Sequence, residues 1–242
     1  MQVFGHRGSP GFPRFGENTR TSFKKALDAG AAGFELDVRR CGDGTIIVIH
    51  DATVDRTTTG RGRISDLSYD QLARFDAGFG DSIPRLSDIL DQFGSACTIH
   101  VELKEGGLAS DVAAMIRERS LESHVLLSAF DADDSGESAT SSWSDLSAIS
   151  STITTSLLIS RRKFEQIGAA PLIDAAKRHG ARGIHPQREP VTSFLIDSAR
   201  GADLAVRVWT INDPLEAVRM RDIGVDAIFT DRPELCLNAL RQ

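Results

Sequence analysis

The chain has 242 residues, 40% of them hydrophobic and 26% charged, enough apolar material for a substantial core in one large domain or two small ones. Its formal net charge of -6 excludes a general polyanion binder, because release of counterions from nucleic acid needs a basic face, and no nucleic-acid partner is expected. Cys41, Cys97 and Cys236 are odd in number and widely spaced, which argues against a disulfide framework or a thiolate zinc site and fits reduced thiols.

The first strand-like run, QVFGH, ends on His6, Arg7 and Gly8, three residues that contribute little to a core. A helix is expected next, capped by Asn18, with Phe23, Ala26 and Leu27 on one face and Gly30 as its stop. GFELDV and TIIVIH then follow as strands with only RRCGDG between them. A parallel crossover takes about a dozen residues or more, so the two must form an antiparallel hairpin that turns at Gly42, Asp43 and Gly44. Folding that hairpin sets His50 opposite Glu35 or Asp37, depending on register. The segment 51–95 is too long for an ordinary connection and carries turn chemistry with a few helical turns, so it reads as an insertion.

Six further strands are expected from TIHVELK, HVLLSAF, TTSLLI, RGIHP, VRVWT and DAIFTD, most of them separated by helical periodicity. The phrases LDAG, KRHG and RDIG each place a glycine shortly before a strand, and Asp213 with Pro214 opens a helix closed at Gly224. The Ser- and Thr-rich stretch 134–156 has little periodicity and reads as a mobile loop or lid or, on the plainer account, as a solvent-exposed connection. With TIIVIH set aside as a hairpin arm, eight strands alternate with helices. The expected fold is a (β/α)8 TIM barrel, one catalytic domain over 1–242 with a small insertion at about 51–95, at the mouth. No run approaches a membrane span and no basic segment leads into an apolar one, so a cytoplasmic protein without stable membrane association is expected.

Barrel chemistry sits where strands end. Side chains alternate along a strand, so Glu35 and Asp37 share one side, as do Glu102 and Lys104 in VELK. Three carboxylates on neighbouring strands raise one another's pKa unless a hard cation relieves them, and an all-oxygen set suits Mg²⁺ or Ca²⁺ better than Zn²⁺. Charge compensation by Lys104 is the plainer alternative. His6 can move a proton near neutral pH, Arg7 can hold two phosphate oxygens, and Gly8 lets backbone approach a ligand. His100 reads as a hydrogen-bonded interior residue, and His185 either reaches the mouth or is bonded in the core. Once His50 returns on the hairpin, the set suits cation-assisted cleavage of a phosphodiester, with one histidine taking a proton and the other giving one.

Taken in order, HRG at 6–8, ENT at 17–19, ELDV at 35–38, HD at 50–51, DRTTTGRG at 55–62, IPRL at 83–86, VELK at 101–104, VWTIND at 208–213 and FTDRP at 229–233 resemble the glycerophosphodiester phosphodiesterase family over nearly the whole chain. The resemblance implies a TIM barrel that hydrolyses small glycerophosphodiesters to glycerol 3-phosphate and an alcohol with a divalent cation. It implies Glu35, Asp37 and Glu102 as metal ligands, His6 and His50 as the acid and base pair, and Arg7 and Lys104 as phosphate-binding residues. Trp209 would line the glycerol pocket. Gly16 stands where the family's PENT has proline, a change expected to alter loop stiffness more than chemistry, and the Ser-rich stretch does not resemble the family. The alternatives are a phospholipase D type reaction on lysophospholipids, a cyclising reaction that uses a substrate hydroxyl, and a barrel that binds phosphodiesters without cleaving them. Oligomeric state has no visible signal.

Overall fold

The computed structural model describes residues 1–11, 16–131 and 143–241. Its elements in chain order are β1 (Gln2–His6), α1 (Arg20–Asp28), β2 (Gly33–Arg40), β3 (Ile46–Val48), α2 (Tyr69–Leu72), α3 (Leu86–Phe93), β4 (Thr98–Leu103), α4 (Ala109–Glu118) and β5 (Val125–Ala129). They continue as α5 (Trp143–Ser147), β6 (Thr154–Ile159), α6 (Arg161–Ile167), α7 (Ala169–Arg178), β7 (Gly183–Pro186), α8 (Ser193–Arg200), β8 (Ala205–Val208), α9 (Pro214–Asp222), β9 (Ala227–Thr230) and α10 (Pro233–Leu240). Eight strands pair in parallel in the order β1-β9-β8-β7-β6-β5-β4-β2, and pairing of β1 with β2 closes the ring. This is the expected TIM barrel, with β3 laid antiparallel on β2.

The strands are buried on both faces, which is why they read as nearly continuous apolar runs. Phe34 on β2 shows how the outer layer seals: it stacks on Phe23 of α1 at 4.2 Å and meets Phe93 of α3 edge-on at 5.5 Å. Each aromatic buried this way contributes roughly 1.5–3 kcal/mol. The span 51–95 divides physically. Its last helix, α3, gives Leu86, Ile89, Leu90 and Phe93 to the barrel core. A second, smaller core gathers Cys41, Ile47, Ile49, Val54, Ile64, Leu72, Ala77 and Ile83 beside the barrel.

Strand length explains where β3 sits. Pairing of β1 with β2 ends at His6 and Glu35, which leaves the last residues of β2 with a free edge. β3 covers that edge through Val38 with Val48, Arg39 with Ile47 and Arg40 with Ile46. Ile49 donates its N–H to the Asp37 carbonyl, so Ile49 and not His50 lies opposite Asp37, a correction to the expected register. His50 falls past the paired segment, where the Arg39 Nε donates to its carbonyl at 2.7 Å.

Two further expectations change. Helix α1 is capped by Thr19, whose hydroxyl accepts from the Ser22 N–H while the Ser22 hydroxyl accepts from Thr19 N–H. Asn18, with φ 59°, turns its side chain to Asp37 instead. The Ser-rich stretch lies outside the described residues up to 142, but from Trp143 onward it is not an exposed connection. Trp143 is buried with its indole donating to the Ala129 carbonyl, and Ile149 and Ile153 are buried as well. The cap at Asp213 with Pro214 at the first turn of α9 is as expected, and Gly30 and Gly224 follow their helices at φ 94° and 88°. Among the described residues no helix is long and apolar enough to cross a membrane.

Candidate active site

β1, β2 and β4 end side by side, with His6 level with Glu35 and Asp37 level with Glu102. Alternation along those strands turns Glu35, Asp37 and Glu102 to one place, where one carboxylate oxygen of each lies within 4.8 Å of the others. Glu35 Oε1 and Asp37 Oδ1 are sealed from solvent and have no hydrogen-bond partner among the described residues. Buried carboxylate oxygens without donors are costly, and an all-oxygen set of this kind fits a hard divalent cation. The mutual rise in pKa expected from the sequence is met by Glu35 and not by Asp37. Burial pushes Glu35 well above the usual carboxylate range, and the charges of Asp37 and Glu102 add to that. Burial acts on Asp37 in the same direction, but Arg7, His50, Lys104 and the Asn18 amide outweigh it and hold Asp37 well below that range.

Arg7 sits in a turn at φ 55°, which aims its backbone N–H at Glu35 Oε2, 3.0 Å away. Its guanidinium reaches Glu17 at 2.9 Å and lies 3.3 Å from Asp37 Oδ2. Gly8 has a packing role besides. A Cβ there would stand 2.5 Å from the Ser22 hydroxyl, so the glycine lets this turn pack on α1. Gly16 has φ 103°, outside proline's reach, and the Phe79 ring occupies the space that a Cβ would take. Lys104 donates to Glu102 Oε1 at 2.7 Å and lies 4.0 Å from Asp37 Oδ1, so it offsets carboxylate charge while it lines the cavity.

The two histidines are held alike. His6 Nδ1 is 2.8 Å from Asp231 Oδ1, and Asp231 is fixed by the Asn212 amide at 2.7 Å. His50 Nδ1 is 2.7 Å from Asp51 Oδ1, with its Nε2 3.2 Å from Lys104 Nζ. Burial, then the charge of Arg7, lowers the pKa of His6 against the opposing pull of Asp231. A neutral imidazole that gives its Nδ1–H to a carboxylate keeps Nε2 as an acceptor, open in His6 and facing Lys104 Nζ in His50.

Of the eight residues read from the sequence, seven line one cavity of about 200 Å³: His6, Arg7, Glu35, His50, Glu102, Lys104 and Trp209. Asp37 is fully buried behind them. Phe130, Leu158 and Phe229 share the lining, and Trp209 meets Phe130 edge-on at 5.6 Å while its indole donates to the His185 carbonyl. His185 reaches the cavity wall, with its Nε2 buried and unpartnered among the described residues. His100 is not hydrogen-bonded as expected: neither ring nitrogen has a partner there, and the ring lies edge-on to Phe4 and Phe229. Sequence reasoning missed Glu17, Asn18, Asp51, Asn212 and Asp231. Each stands inside a recognised motif, and for Asp51, Asn212 and Asp231 nearness to a strand end was the available signal.

The profile of the Glycerophosphoryl diester phosphodiesterase family matches residues 6–235. The chain belongs to this family. A relative described as a glycerophosphodiester phosphodiesterase, from Caldanaerobacter subterraneus, is 31% identical and covers 99% of this chain and 98% of its own. Among solved structures, a glycerophosphodiester phosphodiesterase from Agrobacterium tumefaciens superposes with a TM-score of 0.81 at 27% identity, over 98% of this chain and 99% of that one. A phosphodiesterase from Oleispira antarctica, solved in complex with the product sn-glycerol-3-phosphate, gives 0.78 at 26% identity over 100% and 97%. For this member of the family, the barrel mouth is therefore the place to look for phosphodiester chemistry.

Proposed function

We propose that the protein hydrolyses small glycerophosphodiesters to sn-glycerol 3-phosphate and an alcohol, with His6 and His50 as the proton-transfer pair and a divalent cation on Glu35, Asp37 and Glu102. The observation that carries this reading is the shared cavity: two imidazoles, each tied through Nδ1 to an aspartate, beside a carboxylate triad with unpartnered buried oxygens. The cation, Mg²⁺ or Ca²⁺, supplies Lewis-acid polarisation of a phosphoryl oxygen when bound.

The chain's own groups do the rest. Arg7 and Lys104 bring positive charge to the cavity wall, where non-bridging phosphate oxygens need it. Nε2 of each histidine faces the cavity, that of His50 beside Lys104 Nζ; one ring, neutral, receives a proton from water at Nε2, and the other, entering as imidazolium with its second proton on Nε2, delivers that proton to the departing oxygen. Both are needed because an alkoxide is a poor leaving group. Trp209, Phe130, Leu158 and Phe229 offer apolar wall to the carbon face of glycerol. A cavity of about 200 Å³ favours a small polyol phosphate over a lysophospholipid carrying an acyl chain. The three free cysteines, all buried, support a reducing, cytoplasmic setting.

Product identification by ³¹P NMR tests the reaction class. With glycerophosphocholine as substrate, the expected first product is glycerol 3-phosphate. Accumulation of a cyclic glycerol phosphate would move the assignment to the cyclising reaction.

A further inference from the structure

Two motifs, ENT at 17–19 and DRTTTGRG at 55–62, contribute no residue to the proton-transfer pair or the carboxylate triad. They nevertheless hold charged side chains against both sides of the site. Glu17 is 4% exposed and accepts three hydrogen bonds, one from Arg7 Nη1 at 2.9 Å and two from Arg56, Nη1 at 3.0 Å and Nη2 at 2.7 Å. The other edge of the Arg56 guanidinium grips Asp51, with Nε 2.6 Å from Oδ2 and Nη2 2.9 Å from Oδ1. Asp51 in turn accepts from His50 Nδ1 at 2.7 Å. An unbroken chain of contacts thus runs His50, Asp51, Arg56, Glu17, Arg7. Its centre is one guanidinium that does not line the cavity.

We propose that Arg56 is a positioning residue, which fixes the aim and tautomer of His50 through Asp51 and the aim of Arg7 through Glu17. This rests on the roles given above to His50 and Arg7. The physical reason lies in the fork geometry. A planar guanidinium can offer paired donors to two carboxylates at once and hold both in fixed orientation, whereas an ammonium is a point charge that cannot span them. Without Arg56, Asp51 is free to rotate away from His50, and the buried Glu17 keeps a single cation. The segment following the hairpin therefore acts on the reaction from outside the cavity, by placing one proton-transfer group and one phosphate-binding group as a unit.

The Arg56 side chain is 45% exposed, so its place is open to solvent once the side chain is removed. That makes chemical rescue available. Arg56→Ala and Arg56→Lys are to be compared with wild type for kcat, KM and cation affinity by calorimetry, with guanidinium added far below its denaturing range. The expected result for Arg56→Ala is a kcat lower by between about tenfold and a hundredfold from the loosened His50, a raised KM from the loosened Arg7, and cation affinity little changed. Guanidinium should restore much of that loss, whereas Lys should restore only a part, and guanidinium should not rescue His50→Ala. The readout that a merely structural role would not move is the ¹⁵N signature of the His50 ring. Wild type should show Nδ1 protonated, and the two Arg56 variants a mixture of tautomers. A kcat within twofold of wild type in Arg56→Ala, or a His50 tautomer unchanged in the folded Arg56→Lys variant, would overturn the proposal. If wild type itself releases no glycerol 3-phosphate, the catalytic reading fails, and the tautomer measurement still decides the positioning claim.

Discussion

At the scale of single residues, each of the two histidines proposed to transfer protons is paired with a carboxylate outside the Glu35, Asp37 and Glu102 triad. His50 has Asp51 and His6 has Asp231. His50 touches Lys104 but is not in the triad, so His50→Ala should leave cation affinity intact while turnover falls by about two orders of magnitude or more. Calorimetry and initial rates check this, and unchanged turnover would remove His50 from the reaction. Glu35→Gln should weaken cation binding, because one of its oxygens is among the buried unpartnered acceptors; wild-type affinity in a titration would take it out of the ligand set. The places of Glu35, Asp37, Glu102 and His6 were legible in the sequence because each stands at a strand end with alternation to fix its side, whereas His50 was brought to the mouth only by the hairpin argument. Asp231 was not legible as a partner of His6. The two are 225 positions apart and meet only because β1 and β9 are neighbours in the closed ring, which no local pattern records.

At the scale of elements, β2 carries most of the burden: it pairs with β1, β4 and β3 and brings two carboxylates to the mouth. Its first residue has to be glycine. A Cβ on Gly33 would stand 1.8 Å from the Thr98 carbonyl oxygen, within the very pairing that sets Asp37 level with Glu102. Gly33→Ala should therefore cost roughly 1–3 kcal/mol or more of stability and weaken cation affinity along with it. Urea unfolding measures the first and calorimetry the second, and a neutral effect on both would contradict the close approach. The hairpin was legible from the shortness of RRCGDG, because chain geometry forbids a parallel crossover there. Its register was not, since the paired segment stops at Val48 and His50 is placed by side-chain contacts of Arg39, Asp51 and Lys104. The cap of α1 was misread for a similar reason. Asn18 and Thr19 are both good capping residues, and the choice was made by Asp37, which takes the Asn18 amide.

At the scale of the whole molecule, the barrel interior holds neutral histidines. Burial, reinforced by Arg207, pushes His185 well below its ordinary 6.5, and burial with Arg207 does the same to His100. In the unfolded chain these imidazoles take up protons as pH falls through 6.5, while in the folded chain they stay neutral. Stability is therefore fully present above that pH and lost below it, by up to about 1.4 kcal/mol per pH unit for each such histidine. Urea unfolding between about pH 7 and pH 5 should show the decline in wild type and a shallower slope in His185→Asn. A flat profile in wild type would mean that these rings protonate freely in the fold. The barrel itself was legible from nine strand candidates less one hairpin arm. The division of the segment after His50 into a small separate core and the barrel helix α3 was not, because both parts are short amphipathic turns in sequence and differ only in which core they face.

The most direct test is release of glycerol 3-phosphate from glycerophosphocholine and glycerophosphoethanolamine, each with Mg²⁺, with Ca²⁺ and with chelator. Release with at least one cation and none with chelator is the predicted result. Undiminished release in chelator, or none with either cation, would contradict a cation-dependent phosphodiesterase built on Glu35, Asp37 and Glu102.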